Sequence, residues 1–235
     1  MMKTLEPQLI AAGPAVERSG LAHRVWEPAA AGPHPTVILV HGRSGSQDVM
    51  WVFARTLPKN WLVVAPRALL VDPQGGYSWE IRAGSDWPSV TDLAAGMAAL
   101  TRFIEVLPEL YNADLRRLFL MGFSQGAALC YAMAMRRQVL VRGVAGLLGF
   151  VAEMEENSAE SPTLLDLPIF MAVGRQDPTI PLAKAEDAAS KLIRAGARLD
   201  YRAYDTGHKL NAAGARDLTA WWRAQAAALA EGQST

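Results

Sequence analysis

The chain has a single cysteine, Cys130, which rules out an internal disulfide, and its four histidines are too dispersed to give zinc-type ligand spacing. Neither charge is in excess. Lys plus Arg and Asp plus Glu both number 23, so no broad positive field exists to draw nucleic acid or an anionic membrane. Long apolar runs are missing too: nowhere do about 18 consecutive apolar residues offer a membrane span. The opening "MMKTLEPQLIAAGPAVERSG" has no unbroken apolar segment of secretory length. Repeats, low-complexity tracts and linkers long enough to separate domains are also lacking. These absences exclude a metal site of the usual spacing, a nucleic-acid partner and a membrane span, and they make the cytoplasm the expected compartment.

What remains is 235 residues, 51% of them apolar and 20% charged, enough for one domain with a sizeable core. Short β-branched or aromatic runs bounded by breakers read as buried strands at 36–41, 61–66, 117–122, 144–149, 169–174 and 199–204. Helical periodicity lies between them. It is clearest at 210–229, with Asn211 placed to cap, and at 89–107, where Ser89 precedes the run and Pro108 is expected to stop it. A further helix is expected near 47–57. Alternating strands and helices predict a mostly parallel sheet covered on both faces. Residues 1–35 read as an antiparallel hairpin on its edge, and 36–230 as the main body. The acidic stretch 152–161 reads as an exposed loop, with a mobile flap as the alternative.

"GFSQG", residues 122–126, follows the strand ending "LFLM" and precedes the apolar helix "AALCYAMAM". A serine on a sharp strand-to-helix turn is held exposed in strained backbone geometry, and small neighbours make room for it. A plain helix N-cap is the competing reading, but a cap does not by itself require glycine on both sides. A serine hydroxyl needs a base and the base a carboxylate, in the order Ser, acid, His on this architecture. His23, His34 and His41 precede Ser124, which leaves His208, in "YDTGHKLN" after the last predicted strand. The acid is Asp177, in "VGRQDPTIP" at the carboxyl edge of another strand, with Asp205 as competitor. Backbone N–H groups for an oxyanion would come from Gln125, next to the nucleophile, and from Arg43 in "HGRSG". His41 suits a structural role, as does Cys130 within its helix.

In order and separation, "HGRSG", "GFSQGA", "GRQDPTIP" and "TGH" resemble the α/β-hydrolase fold, and more narrowly the phospholipase/carboxylesterase family with its small acyl-protein thioesterases. The resemblance implies a single α/β-hydrolase domain without a large cap and a cofactor-free serine hydrolase of carboxylic esters or thioesters. It also implies that Trp79, in "GGYSWE", and Ile180 border the substrate. A small-molecule ester would be the ligand, as a monomer or a homodimer. The polar "RSGSQD" argues against a narrow preference for long acyl chains. A binding module on the same scaffold, or a peptidase or acyltransferase using the same three residues, is the alternative.

Overall fold

A computed structural model of the chain describes residues 7–81, 87–136, 140–154 and 163–232. The first half runs β1 (Gln8–Ile10), α1 (Pro14–Ser19), β2 (His23–Trp26), β3 (His34–Val40), a 3₁₀ helix (Val49–Thr56), β4 (Leu62–Pro66), β5 (Leu70–Val71) and β6 (Tyr77–Ser78). There follow α2 (Ala94–Glu105), α3 (Leu107–Tyr111), β7 (Ala113–Phe123), α4 (Gln125–Met135), β8 (Gly143–Leu147), β9 (Pro168–Gly174), α5 (Leu182–Arg194), β10 (Arg198–Tyr204) and α6 (Ala212–Glu231).

Eight strands form one sheet in the order β1-β2-β4-β3-β7-β8-β9-β10, and β5 and β6 make a separate small hairpin. Neighbours from β4 to β10 pair in parallel, whereas β1 with β2 and β2 with β4 are antiparallel. After β3 the chain builds outward to β4, then returns to lay β7 on the other side of β3. The order therefore reverses between β3 and β7, and ligands of open α/β sheets bind past the carboxyl ends of strands at such a reversal.

The central strands are apolar along the stretches that pair in the middle of the sheet because both faces are covered there. Successive side chains leave a strand on opposite sides. Val37, Leu39, Phe119, Met121 and Phe170 pack with Met50, Trp61, Leu218 and Trp222 beneath the 3₁₀ helix and α6. Ile38, Val40, Leu120, Ile169 and Met171 face α2, α4 and α5. Among the described residues no helix is long and apolar enough to cross a membrane.

Two expectations need correcting. The N-terminal strands pair antiparallel at the sheet edge as expected but are not a simple hairpin, because α1, entered at Pro14 and closed by Gly20 in the left-handed conformation, lies between them. The helix expected at 89–107 starts at Ala94, after a turn in which Ser89 and Asp92 bond each other, and Pro108 opens α3 rather than ending the run. Proline is tolerated there because a first-turn N–H has no helical acceptor to lose. Asn211 caps α6, its Oδ1 accepting the Gly214 N–H at 2.9 Å. Of the acidic stretch, 155–161 lies outside the described residues, while Glu153 accepts from Lys184 and Lys191 of α5.

Trp222 is fully buried, edge-on to Trp61 and Phe119 at 5.9 and 5.8 Å between ring centroids. Trp222→Ala is expected to cost about 3–5 kcal/mol, which lowers the thermal midpoint by roughly 10 °C in a chain of this size. A melting curve by circular dichroism within about 2 °C of wild type would contradict the assignment of this ring to the core.

Candidate active site

β7 ends at Phe123 and α4 begins at Gln125, so the chain must turn from strand to helix within one residue. Ser124 does so at φ 53° and ψ −119°, a region that side chains avoid and that costs on the order of 1–3 kcal/mol. The flanking glycines are required by close approach. A Cβ on Gly126 would lie 2.2 Å from Val40 O, and one on Gly122 would lie 2.3 Å from Gly126 O. The Ser124 N–H donates to Leu147 O at 2.9 Å, while its carbonyl accepts from the N–H groups of Ala127 and Ala128 and starts the helix.

Parallel pairing of β9 with β10 delivers the other two side chains to the same edge. Beyond the strand ends the loops stay zipped, with Arg175 N–H on Tyr204 O at 2.8 Å and Gln176 N–H on Thr206 O at 3.1 Å. Asp177 is buried, its Oδ1 accepting the N–H groups of Thr179 and Ile180 at 2.8 and 3.0 Å. Its Oδ2 lies 2.7 Å from His208 Nδ1. A carboxylate only accepts, so the Nδ1 proton is fixed there and the Nε2 lone pair is left for a donor. Asp205 is 76% exposed and paired with Arg175 Nη1 at 3.0 Å, away from the histidine.

The loop after β3 lies against the serine turn: a Cβ on Gly42 would be 3.2 Å from Ser124 Cβ. Among the described residues neither the Arg43 N–H nor the Gln125 N–H has a protein acceptor, and the latter, at a helix start, has none behind it by geometry. Buried Asp72 holds the loop, taking Arg43 Nε at 3.2 Å and the Ser78 hydroxyl at 2.6 Å on Oδ2, and Gln74 N–H at 2.9 Å on Oδ1. Ser78 in turn accepts the Ser44 N–H at 3.0 Å. Donation first from Ser78, then from Gln74, with Arg43 adding to it, depresses the Asp72 carboxyl to about 2.

Trp79 and Ile180, expected at the substrate, are not brought to it. Trp79 is fully buried, its indole N–H donating to His41 O at 2.9 Å. That acceptor lies in the interior, so the ring turns under the loop. Ile180 packs in the core with α5 and contributes its backbone N–H to Asp177. Sequence reading also missed the side chain of Gln125, whose Oε1 accepts Trp79 N–H at 2.9 Å and whose Nε2 donates to Glu80 O at 2.8 Å. Nothing in residues 79–80 signals a partner more than forty positions away. Among the described residues no group of three or more His, Cys, Asp or Glu side chains could hold a metal ion.

The phospholipase/carboxylesterase family model matches residues 22–223. The chain belongs to this family. A putative carboxymethylenebutenolidase of Escherichia coli (strain K12) is 26% identical over 196 residues, 77% of this chain and 69% of that protein. The solved carboxylesterase of Bacillus cereus superposes with a TM-score of 0.79 at 18% identity, over 89% of this chain and 97% of that one. A carboxylesterase from Mesorhizobium loti gives a TM-score of 0.77 at 19% identity, over 92% of this chain and 98% of that one. The fold is that of the α/β-hydrolases, and as a phospholipase/carboxylesterase the protein is a hydrolase of small carboxylic esters.

In this phospholipase/carboxylesterase a cleft of about 620 Å³ is lined by Ser124, His208, Gly42 and Arg43, with Val49, Val52 and Phe53 of the 3₁₀ helix and with Phe123 and Leu210. His208 stands edge-on to Phe123 at 5.0 Å between centroids. The other loop histidine is kept out of the cleft: His41 is fully buried, its Nε2 accepting Ala68 N–H at 3.0 Å, so Nδ1 carries the proton to Gly42 O at 2.7 Å.

Burial pushes His41 down to about 4. An unfolded chain protonates this imidazole as pH falls through about 6.5, whereas the folded protein resists until about 4. Stability on this account is full above the unfolded value and declines as pH drops from about 6.5 towards 4; the Asp72 contribution is lost only below that, as pH falls from about 4 towards 2. Urea midpoints are expected to be flat from about pH 7 to 8 and to fall across the upper window, and His41→Gln should make that fall shallower, buried His23, also lowered by desolvation, contributing the remainder. An equal slope in wild type and variant would contradict this role for His41.

Proposed function

We propose that the ester is cleaved through an acyl-enzyme on Ser124, with His208 as general base and then general acid and Asp177 orienting it. The observation that carries this reading is the 2.7 Å contact between His208 Nδ1 and buried Asp177 Oδ2 beside a cleft that both Ser124 and His208 line. The Ser124 hydroxyl has no hydrogen-bond partner among the described residues, and the contact to His208 forms as substrate enters, as such contacts tighten in the reacting complex.

Ser124 Oγ attacks the carbonyl carbon while His208 Nε2 takes its proton, and the carbonyl oxygen becomes an anion facing the N–H groups of Arg43 and Gln125. That anion collapses, the C–O bond to the alcohol breaks, and His208 returns the proton to the leaving oxygen. Water, deprotonated by the same nitrogen, then attacks the acyl group; a second collapse frees the acid and restores the hydroxyl. Protonated His208 is stabilised by the Asp177 carboxylate, whose second oxygen is held by two backbone N–H groups. A thioester is cleaved by the same steps with sulfur leaving.

Ser124→Ala is expected to lower kcat for 4-nitrophenyl acetate by about 10⁴ to 10⁶ while leaving the thermal midpoint within a few degrees of wild type. A variant that retains near-normal turnover would sink the assignment.

A further inference from the structure

The cleft departs from the charge balance of the molecule around it. Overall the chain carries 23 basic and 23 acidic residues, yet the cleft holding Ser124 and His208 is lined by Arg43, Arg55 and Lys209 and by no Asp or Glu. Arg43 is tied to Asp72. Arg55 and Lys209 have no carboxylate partner among the described residues. They come from different walls, Arg55 from the 3₁₀ helix and Lys209 from the loop that carries His208.

Much of the remaining lining, including Val49, Val52 and Phe53, is apolar. Cations set against apolar walls focus their field into the space between and raise the local concentration of anions.

We infer that the ester this cleft takes carries a carboxylate, on its acyl or its alcohol part, held by Arg55 and Lys209 while the ester carbonyl is presented to Ser124. This rests on the reading of Ser124 as the nucleophile. Arg55 supplies parallel N–H donors that match two carboxylate oxygens, and Lys209 adds a point charge. The held carboxylate takes no part in the bond changes.

Two matched pairs of esters test this. Mono-4-nitrophenyl adipate against 4-nitrophenyl hexanoate puts the charge on the acyl side, and 4-acetoxybenzoate against its methyl ester puts it on the alcohol side. The readout is the ratio of kcat/KM, charged over neutral, in wild type and in the double variant Arg55→Met with Lys209→Met. For at least one pair the ratio is expected to fall by about tenfold or more in the variant, and in wild type to shrink in high salt, which screens exposed charges. A wild-type preference for the neutral ester in both pairs, or a ratio unchanged by the double substitution, would overturn the inference. If the neutral esters are cleaved, depend on Ser124 and show no charge effect, this inference alone fails. If wild type cleaves none of the four, the nucleophile reading fails with it.

Discussion

The geometry of the site depends on how closely three backbones meet under Ser124. The carbonyls of Val40 and His41, at the end of β3, would lie 2.2 and 2.5 Å from a side chain on Gly126, at the start of α4, and Gly122 at the end of β7 is as tightly pressed by Gly126. Central strands and the first turn of α4 are thus packed backbone on backbone, with nothing able to yield. A strained residue persists only where its surroundings over-determine it. Here they are the two middle strands of the sheet, buried along the stretches that lead into the site. The same contact seats Gly42 against Ser124, so the loop bearing Arg43 and the serine turn form one rigid piece.

Around that piece, polar side chains divide into those that hold loops and those that face the cleft. His41, Asp72 and the Gln125 amide are buried and fix the backbone of neighbouring loops, His41 and Gln125 across long sequence separations. His208 stays partly exposed, with Asp177 behind it at 1% exposure. The contrast explains how one chain keeps one histidine neutral by burial and another at the edge of an open cleft with its tautomer set by a carboxylate. Cys130, fully buried in α4, has its thiol pushed far up by desolvation and is a packing residue.

Much of this was legible in the sequence because the signals were local. Strand runs such as "TVILV" and "IFMAVG" are apolar at nearly every position, as the strands of a doubly covered parallel sheet are. The glycines around Ser124 announce a close approach, and the order of Ser124, Asp177 and His208 follows from the architecture. What could not be read depends on contacts between distant segments. Pro108 looked like a stop because a helix can restart one residue earlier, and that depends on how α3 packs. The family resemblance put Trp79 at the substrate, and an aromatic in a glycine-rich loop gives no sign of its own of which way the ring turns; the carbonyl of His41 decides it. Asp72 and Ser78 carry no signal in the sequence, and only the hairpin of β5 and β6 brings them to Arg43.

The central claim is that the hydroxyl of Ser124, the imidazole of His208 and the N–H groups of Arg43 and Gln125 converge on one reacting centre. A crystal structure of the protein after reaction with a fluorophosphonate tests this most directly. The expected adduct has phosphorus bonded to Ser124 Oγ, with its oxygen about 3 Å from both the Arg43 and Gln125 nitrogens and His208 Nε2 facing the serine oxygen. An adduct on another residue, or one whose oxygen points away from both nitrogens, would contradict it.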